Sequence, residues 1–158
     1  MTTKQFLPLP YGKDVYSELK GNGCYFVDKT PYLKELIDKD KSNVMLFTRP
    51  RRFGKTLFMS MVEYFLKINS ANPGDTILQQ KLFKDTKILE DREFCAKYMG
   101  QHPVICLTLK GVQGKTFKAA YYKLAELIVA KANEYSFLKD SQNLNDKEKA
   151  KFDLLCDE

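Results

Sequence analysis

A chain of 158 residues with a net charge of +6 and a pI near 9.0 is within the usual size of one domain with its own core, and basic enough to invite a polyphosphate or nucleic-acid partner. Cys24, Cys95, Cys106 and Cys156 lie far apart, without a C-x-x-C pair and with a single histidine, His102, which speaks against a zinc site or a disulfide framework and fits a reducing cytoplasm. No apolar run approaches the roughly 20 residues that span a bilayer, and no basic segment leads into an apolar stretch at the N-terminus, so neither secretion nor membrane insertion is expected.

From the N-terminus, Pro8, Pro10 and Gly12 keep the chain extended, and Gly21-Asn22-Gly23 marks a turn before a short strand at Cys24 to Val27. Thr30 then reads as an N-cap with Pro31 at the first helical position, opening a helix that runs to about Asp38. Val44 to Phe47 is a β-branched and aromatic run, read as a strand, and it feeds Thr48-Arg49-Pro50-Arg51-Arg52-Phe53-Gly54-Lys55-Thr56-Leu57. After Lys55, the residues Leu57, Met61, Tyr64, Phe65 and Ile68 recur at spacings of three and four, which predicts a helix with one apolar face.

Strand, loop, Gly-Lys-Thr and helix in that order form the layout of a phosphate-binding loop. A helix N-terminus presents unpaired N–H groups and a partial positive charge, and a loop wrapped in front of it adds donors around a phosphate. In this layout Gly54 permits close backbone approach, Lys55 reaches the β- and γ-phosphates, and Thr56 holds magnesium through its hydroxyl. The full pattern, G-x-x-x-x-G-K-S/T, would require glycine where this chain has Arg49. The charge is concentrated here: residues 1–60 hold eleven Lys and Arg against six Asp and Glu, which leaves +5 of the +6. Arg49, Arg51 and Arg52 are its densest part, and they would serve a nucleotide phosphate as readily as a nucleic-acid backbone.

Beyond this helix, Asn72-Pro73-Gly74 is a break. Two short helices follow near Asp75 to Leu82 and Asp91 to Met99, with a brief extended piece around Ile88, the whole read as connecting structure on the surface of a sheet. Pro103 to Leu109 is a continuous apolar run, the pattern of a strand buried on both faces of a parallel sheet, and a long helix spans about Thr116 to Tyr135 with Phe117, Tyr121, Leu124, Ile128 and Ala132 on one face. The alternation predicts an α/β doubly wound class. Two segments mimic nucleotide motifs. Gly111 to Thr116 repeats Gly-Lys-Thr, but its loop is too short to wrap a phosphate and Leu109 stands where glycine is needed; a helix start capped near Gly114 is the better reading. Leu154-Leu155-Cys156-Asp157-Glu158 mimics a Walker B strand, yet the charged run before it and the Phe152/Leu155 spacing read as a helix.

The run Phe47 to Leu57 strongly resembles the modified Walker A of the bacterial AAA-ATPase-like family of predicted P-loop ATPases, in which arginine at the first loop position is usual. Tyr25-Phe26-Val27-Asp28-Lys29-Thr30, followed by Tyr32 and Leu33, resembles that family's upstream signature, and His102-Pro103-Val104-Ile105-Cys106-Leu107 its second core strand. The resemblance implies a P-loop NTPase-type parallel sheet with flanking helices. It divides residues 1–158 into an upstream segment at 5–40, the P-loop strand and helix at 44–69, and the second strand and helix at 103–135. It implies ATP and Mg2+ as ligands of Arg49, Pro50, Arg51, Arg52, Phe53, Gly54, Lys55, Thr56 and Leu57, with the metal on Thr56, and it brings Asp28 and Lys29 near the nucleotide base. Asp28 and Lys29 have a second reading, as a turn and a surface ion pair supporting the helix cap. Family members are longer, with a Walker B strand and commonly a nuclease-like domain downstream through which nucleic acid would be a partner. This chain therefore reads as the N-terminal part of such a module, with hydrolysis not expected from it alone. The alternatives are a non-catalytic basic module that binds nucleic acid or a partner protein, and a decayed remnant.

Overall fold

The computed structural model describes residues 7–37 and 44–157, and the chain divides into two compact units, Met1–Val104 and Ile105–Glu158. The first contains α1 (Tyr16–Gly21), α2 (Pro31–Ile37), α3 (Lys55–Leu66), α4 (Ile77–Leu82), a 3-10 turn at Lys87–Glu90 and α5 (Arg92–Tyr98). The second contains α6 (Phe117–Glu134), a 3-10 turn at Ser136–Asp140 and α7 (Asp146–Asp157). The expected end of the second helix at Asp38 lies outside the described residues.

The parallel sheet of the expected P-loop NTPase-type α/β fold is not formed. Among the described residues there is no strand, and the only β pairing is an isolated parallel bridge between Lys67 and His102. The physical reason lies in what an apolar run needs to become a strand: neighbours that pair its N–H and C=O groups and cover both faces. Val44 to Phe47 has neither, and Val44 and Leu46 are 85% and 87% exposed. Ile105 and Leu109 are likewise exposed. The strand expected at Cys24 to Val27 is an extended strap whose Tyr25 N–H donates to the Pro8 carbonyl at 2.8 Å.

The core of the first unit is helical and aromatic. Tyr16, Leu33, Met61, Phe65, Leu82, Phe83, Ile88, Phe94 and Met99 form one buried cluster. Phe65 sits between Phe83, at 5.3 Å between ring centroids, and Phe94, at 5.8 Å. Tyr16 packs on Phe83 at 4.9 Å and donates its hydroxyl to the Leu82 carbonyl; burial, with the charge of Asp28 second, pushes its phenol pKa up. The stretch from 75 to 99, expected to connect elements on a sheet surface, instead supplies Phe83, Ile88, Phe94 and Met99 to this core, and the extended piece expected at Ile88 is a 3-10 turn. With no sheet to cover, the apolar residues of these short helices become the packing partners of α3. Asp91 caps α5 by accepting the Phe94 N–H.

The last turn of α3 is fastened through its backbone. Gly100 N–H donates to the Phe65 carbonyl and His102 N–H to that of Leu66, both at 2.9 Å, while Ile68 N–H donates to His102 O at 2.8 Å. The buried Gln79 side chain adds a bond from its amide to Lys67 O.

In the second unit Thr116 caps α6, its hydroxyl accepting the Ala119 N–H. A reciprocal capping box opens α7: Glu148 N–H donates to the Asn145 side chain, and Asn145 N–H donates to the Glu148 carboxylate. Asn133 reaches the Cys156 carbonyl, and Lys139 pairs with Asp153. The apolar face expected on α6 is largely open, with Phe117 86% and Tyr121 58% exposed. Leu154 to Cys156 are helical; Glu158, the last residue of that Walker B mimic, lies outside the described residues. No helix among the described residues is long and apolar enough to cross a membrane.

Candidate functional site

The Gly-Lys-Thr at residues 54–56 stands at the start of α3. Gly54 is the N-cap, in the left-handed region at φ 75°, and the Phe58 N–H donates to the Gly54 carbonyl at 2.9 Å. Having no side chain, Gly54 caps none of the first-turn N–H groups, so those of Lys55, Thr56 and Leu57 are directed at whatever approaches the helix end. Arg52 is also left-handed, at φ 66°, a conformation that costs a non-glycine residue roughly 1–3 kcal/mol and recurs where loops hold ligands. The Lys55 ammonium donates to the Arg49 carbonyl, so the loop from 49 to 55 curls around it.

Arg49, Pro50, Arg51, Arg52, Phe53, Lys55 and Thr56 are exposed, whereas Leu57 turns its side chain towards the core and packs against it. Phe47 lies 5.4 Å from Phe58 between ring centroids, which docks the approach to the loop on the body of α3. Beside Gly54 is a cavity of about 320 Å³ walled by Tyr25, Phe26, Val27, Lys29 and Phe53. The helical period marks Leu57 and Met61 on its α3 side, but the residues that the strap and the loop bring to it follow no repeat and carry no sequence signal. Among the described residues there is no cluster of His, Cys, Asp and Glu able to hold a metal by itself.

Asp28 and Lys29 take different parts. The Asp28 carboxylate accepts the N–H groups of Thr30 and of Lys87, each at 2.9 Å, and the Thr30 hydroxyl as well. Thr30 is fully buried, and its hydroxyl accepts the Ile88 N–H, while its backbone carbonyl accepts the Leu33 N–H at the start of α2. Partial burial raises the Asp28 pKa, but the bonds from Lys87 and Thr30 outweigh it and hold the carboxyl below its ordinary value. Asp91 is also lowered, first by the bond from Lys34 and then by that from the Phe94 N–H.

A carboxylate with a depressed folded pKa adds stability that is fully present above its unfolded value and is lost as pH falls through the folded one. Stability of the first unit is expected to change little between pH 7 and about 5 and to fall below about 4. Urea melts of wild type at several pH values, repeated with Asp28→Asn, check this; the variant should be less stable at pH 7, and its acid loss should be smaller.

The second Gly-Lys-Thr, at 114–116, has another geometry. There Thr116 is the N-cap and its hydroxyl is occupied by the Ala119 N–H, so glycine and lysine precede the helix. A Cβ on Gly114 would stand 2.7 Å from the Ala119 Cβ, which makes that glycine a requirement of local packing.

The family model described as predicted AAA-ATPase, the AAA-ATPase-like family, matches residues 10–157. The chain belongs to this family. Its description makes the chain a predicted AAA-ATPase-like protein, for which nucleotide use is the general theme. No curated protein and no solved structure matches the chain.

Proposed function

We propose that this AAA-ATPase-like chain binds a nucleoside triphosphate, ATP, with Mg2+, on the N-terminus of α3. The observation that carries the reading is the start of that helix: Gly54 as a side-chain-free N-cap, with the Lys55 ammonium gathered into the loop that Arg49 to Phe53 forms. In this reading Lys55 and the N–H groups of residues 54–57 receive the β- and γ-phosphates, Arg49, Arg51 and Arg52 supply charge around them, and Pro50 and Phe53 shape the loop.

Thr56 suits magnesium because its hydroxyl is exposed beside the helix end. Mg2+ commonly keeps several waters and takes its remaining ligands from substrate phosphates and one or two carboxylates; Thr56 would add one neutral oxygen to a shell made mostly of phosphate and water. When bound, the ion would neutralise phosphate charge. The cavity beside Gly54, with Tyr25, Val27 and Phe53 on its walls, offers the nucleoside an apolar surface. These residues support binding; turnover needs further groups to hold the metal and position the attacking water.

The test is calorimetric titration of the chain with Mg-ATP, using Lys55→Ala and Lys115→Ala as controls. Saturable binding lost in the first variant and kept in the second is the expected result. A folded wild type that shows no binding overturns the reading. An association that all three proteins share and that weakens steeply with salt would favour the nucleic-acid alternative.

A further inference from the structure

Lys29 lies between two residues that grip the same 3-10 turn. On one side the Asp28 carboxylate accepts the Lys87 N–H, and on the other the buried Thr30 hydroxyl accepts the Ile88 N–H. The backbone at 28–30 is therefore fixed against the core from both sides. Lys29 itself is exposed, and among the described residues its ammonium makes no ion pair. It reaches to 4.0 Å from the point where a Cβ on Gly54 would stand, on the wall of the cavity that opens beside that glycine.

A solvated surface lysine does not need its neighbours pinned, and a lysine supporting the helix start through an ion pair would face a carboxylate. Here a rigid base carries an ammonium that makes no ion pair among the described residues to the edge of a loop that already holds Lys55 and the left-handed Arg52. Like charges gathered at one point repel, and a bound polyanion removes that cost.

We infer that Lys29 is a second phosphate-binding lysine, which contacts the polyphosphate from the cavity side while Lys55 contacts it from the loop, and that Asp28 and Thr30 are its positioning residues. The inference rests on the nucleotide reading above.

The experiment is titration of the full chain with Mg-ATP, comparing wild type, Lys29→Met, Lys29→Arg and Lys55→Ala, with a thermal melt of each. Lys29→Met is expected to bind about tenfold more weakly, the scale of one charge-assisted contact, and to melt with wild type because the side chain is exposed. Lys29→Arg should retain most of the affinity. Wild-type affinity in Lys29→Met together with loss in Lys55→Ala overturns this inference and leaves the nucleotide reading standing. No binding by wild type removes both. Weaker binding accompanied by a melting point several degrees lower gives Lys29 a structural part and overturns the phosphate contact.

Discussion

Lys55→Ala is expected to lower the affinity for Mg-ATP by about 10²–10⁴-fold without unfolding the protein. The estimate follows from what the ammonium would touch: two phosphate oxygens through charge-assisted bonds of roughly 1.5–3 kcal/mol each, with every 1.4 kcal/mol worth a factor of ten. In the free protein the same ammonium donates to the Arg49 carbonyl from an exposed position, so removing it should change stability by under about 1 kcal/mol. Alanine is also a better helix former than lysine at the start of α3. Calorimetry for affinity and circular dichroism for helix content separate the two effects. A variant that lost both together would indicate that Lys55 holds the loop rather than the ligand.

Phe65→Ala should be the costliest single truncation in the first unit, at about 3–5 kcal/mol. Phe65 is fully buried, between Phe83 and Phe94, and on the turn of α3 whose carbonyl accepts the Gly100 N–H. The remaining rings cannot close the space without tilting out of their mutual contacts. Against a typical total stability of 5–15 kcal/mol, a loss of that size is a large fraction. Phe117→Ala, at a ring 86% exposed, should by contrast change stability by under about 0.5 kcal/mol. Urea melts followed by circular dichroism give both numbers.

These residues also show what sequence reading can and cannot reach here. The start of α3 was legible because two independent signals coincide, a glycine before Lys-Thr and a period of three and four beginning at Leu57, and the helix runs from Lys55 to Leu66. Thr116 to Tyr135 was legible for the same reason, within a residue at each end, although the cap falls on Thr116 rather than near Gly114. The strands were not. An apolar run such as Val44 to Phe47 or Pro103 to Leu109 reports hydrophobicity, whereas a strand also requires partners elsewhere in the chain, and no local pattern encodes whether they are present. The same step hides the role of residues 75–99: once a sheet is assumed, short helices look peripheral, and without one their Phe83, Ile88 and Phe94 belong to the core. Helix α1 escaped notice because six residues give too few turns for a period, and only Tyr16 and Leu19 mark its inner face. Lys29 carried a weak signal, and its setting rests on bonds from Asp28 and Thr30 to residues nearly 60 positions away.

The parallel bridge from Lys67 to His102 has a kinetic consequence. Parallel pairing cannot be made through a tight turn, so forming the bridge brings together two points about 35 residues apart, at an entropic cost near 3 kcal/mol. The helix that begins at Lys55 can nucleate locally within microseconds, but its far end is secured only after the intervening chain has collapsed onto it. Formation of α3 is thus expected to begin early near Lys55 and to be completed late beyond Leu66, its far end waiting on residues some 35 positions further along the chain.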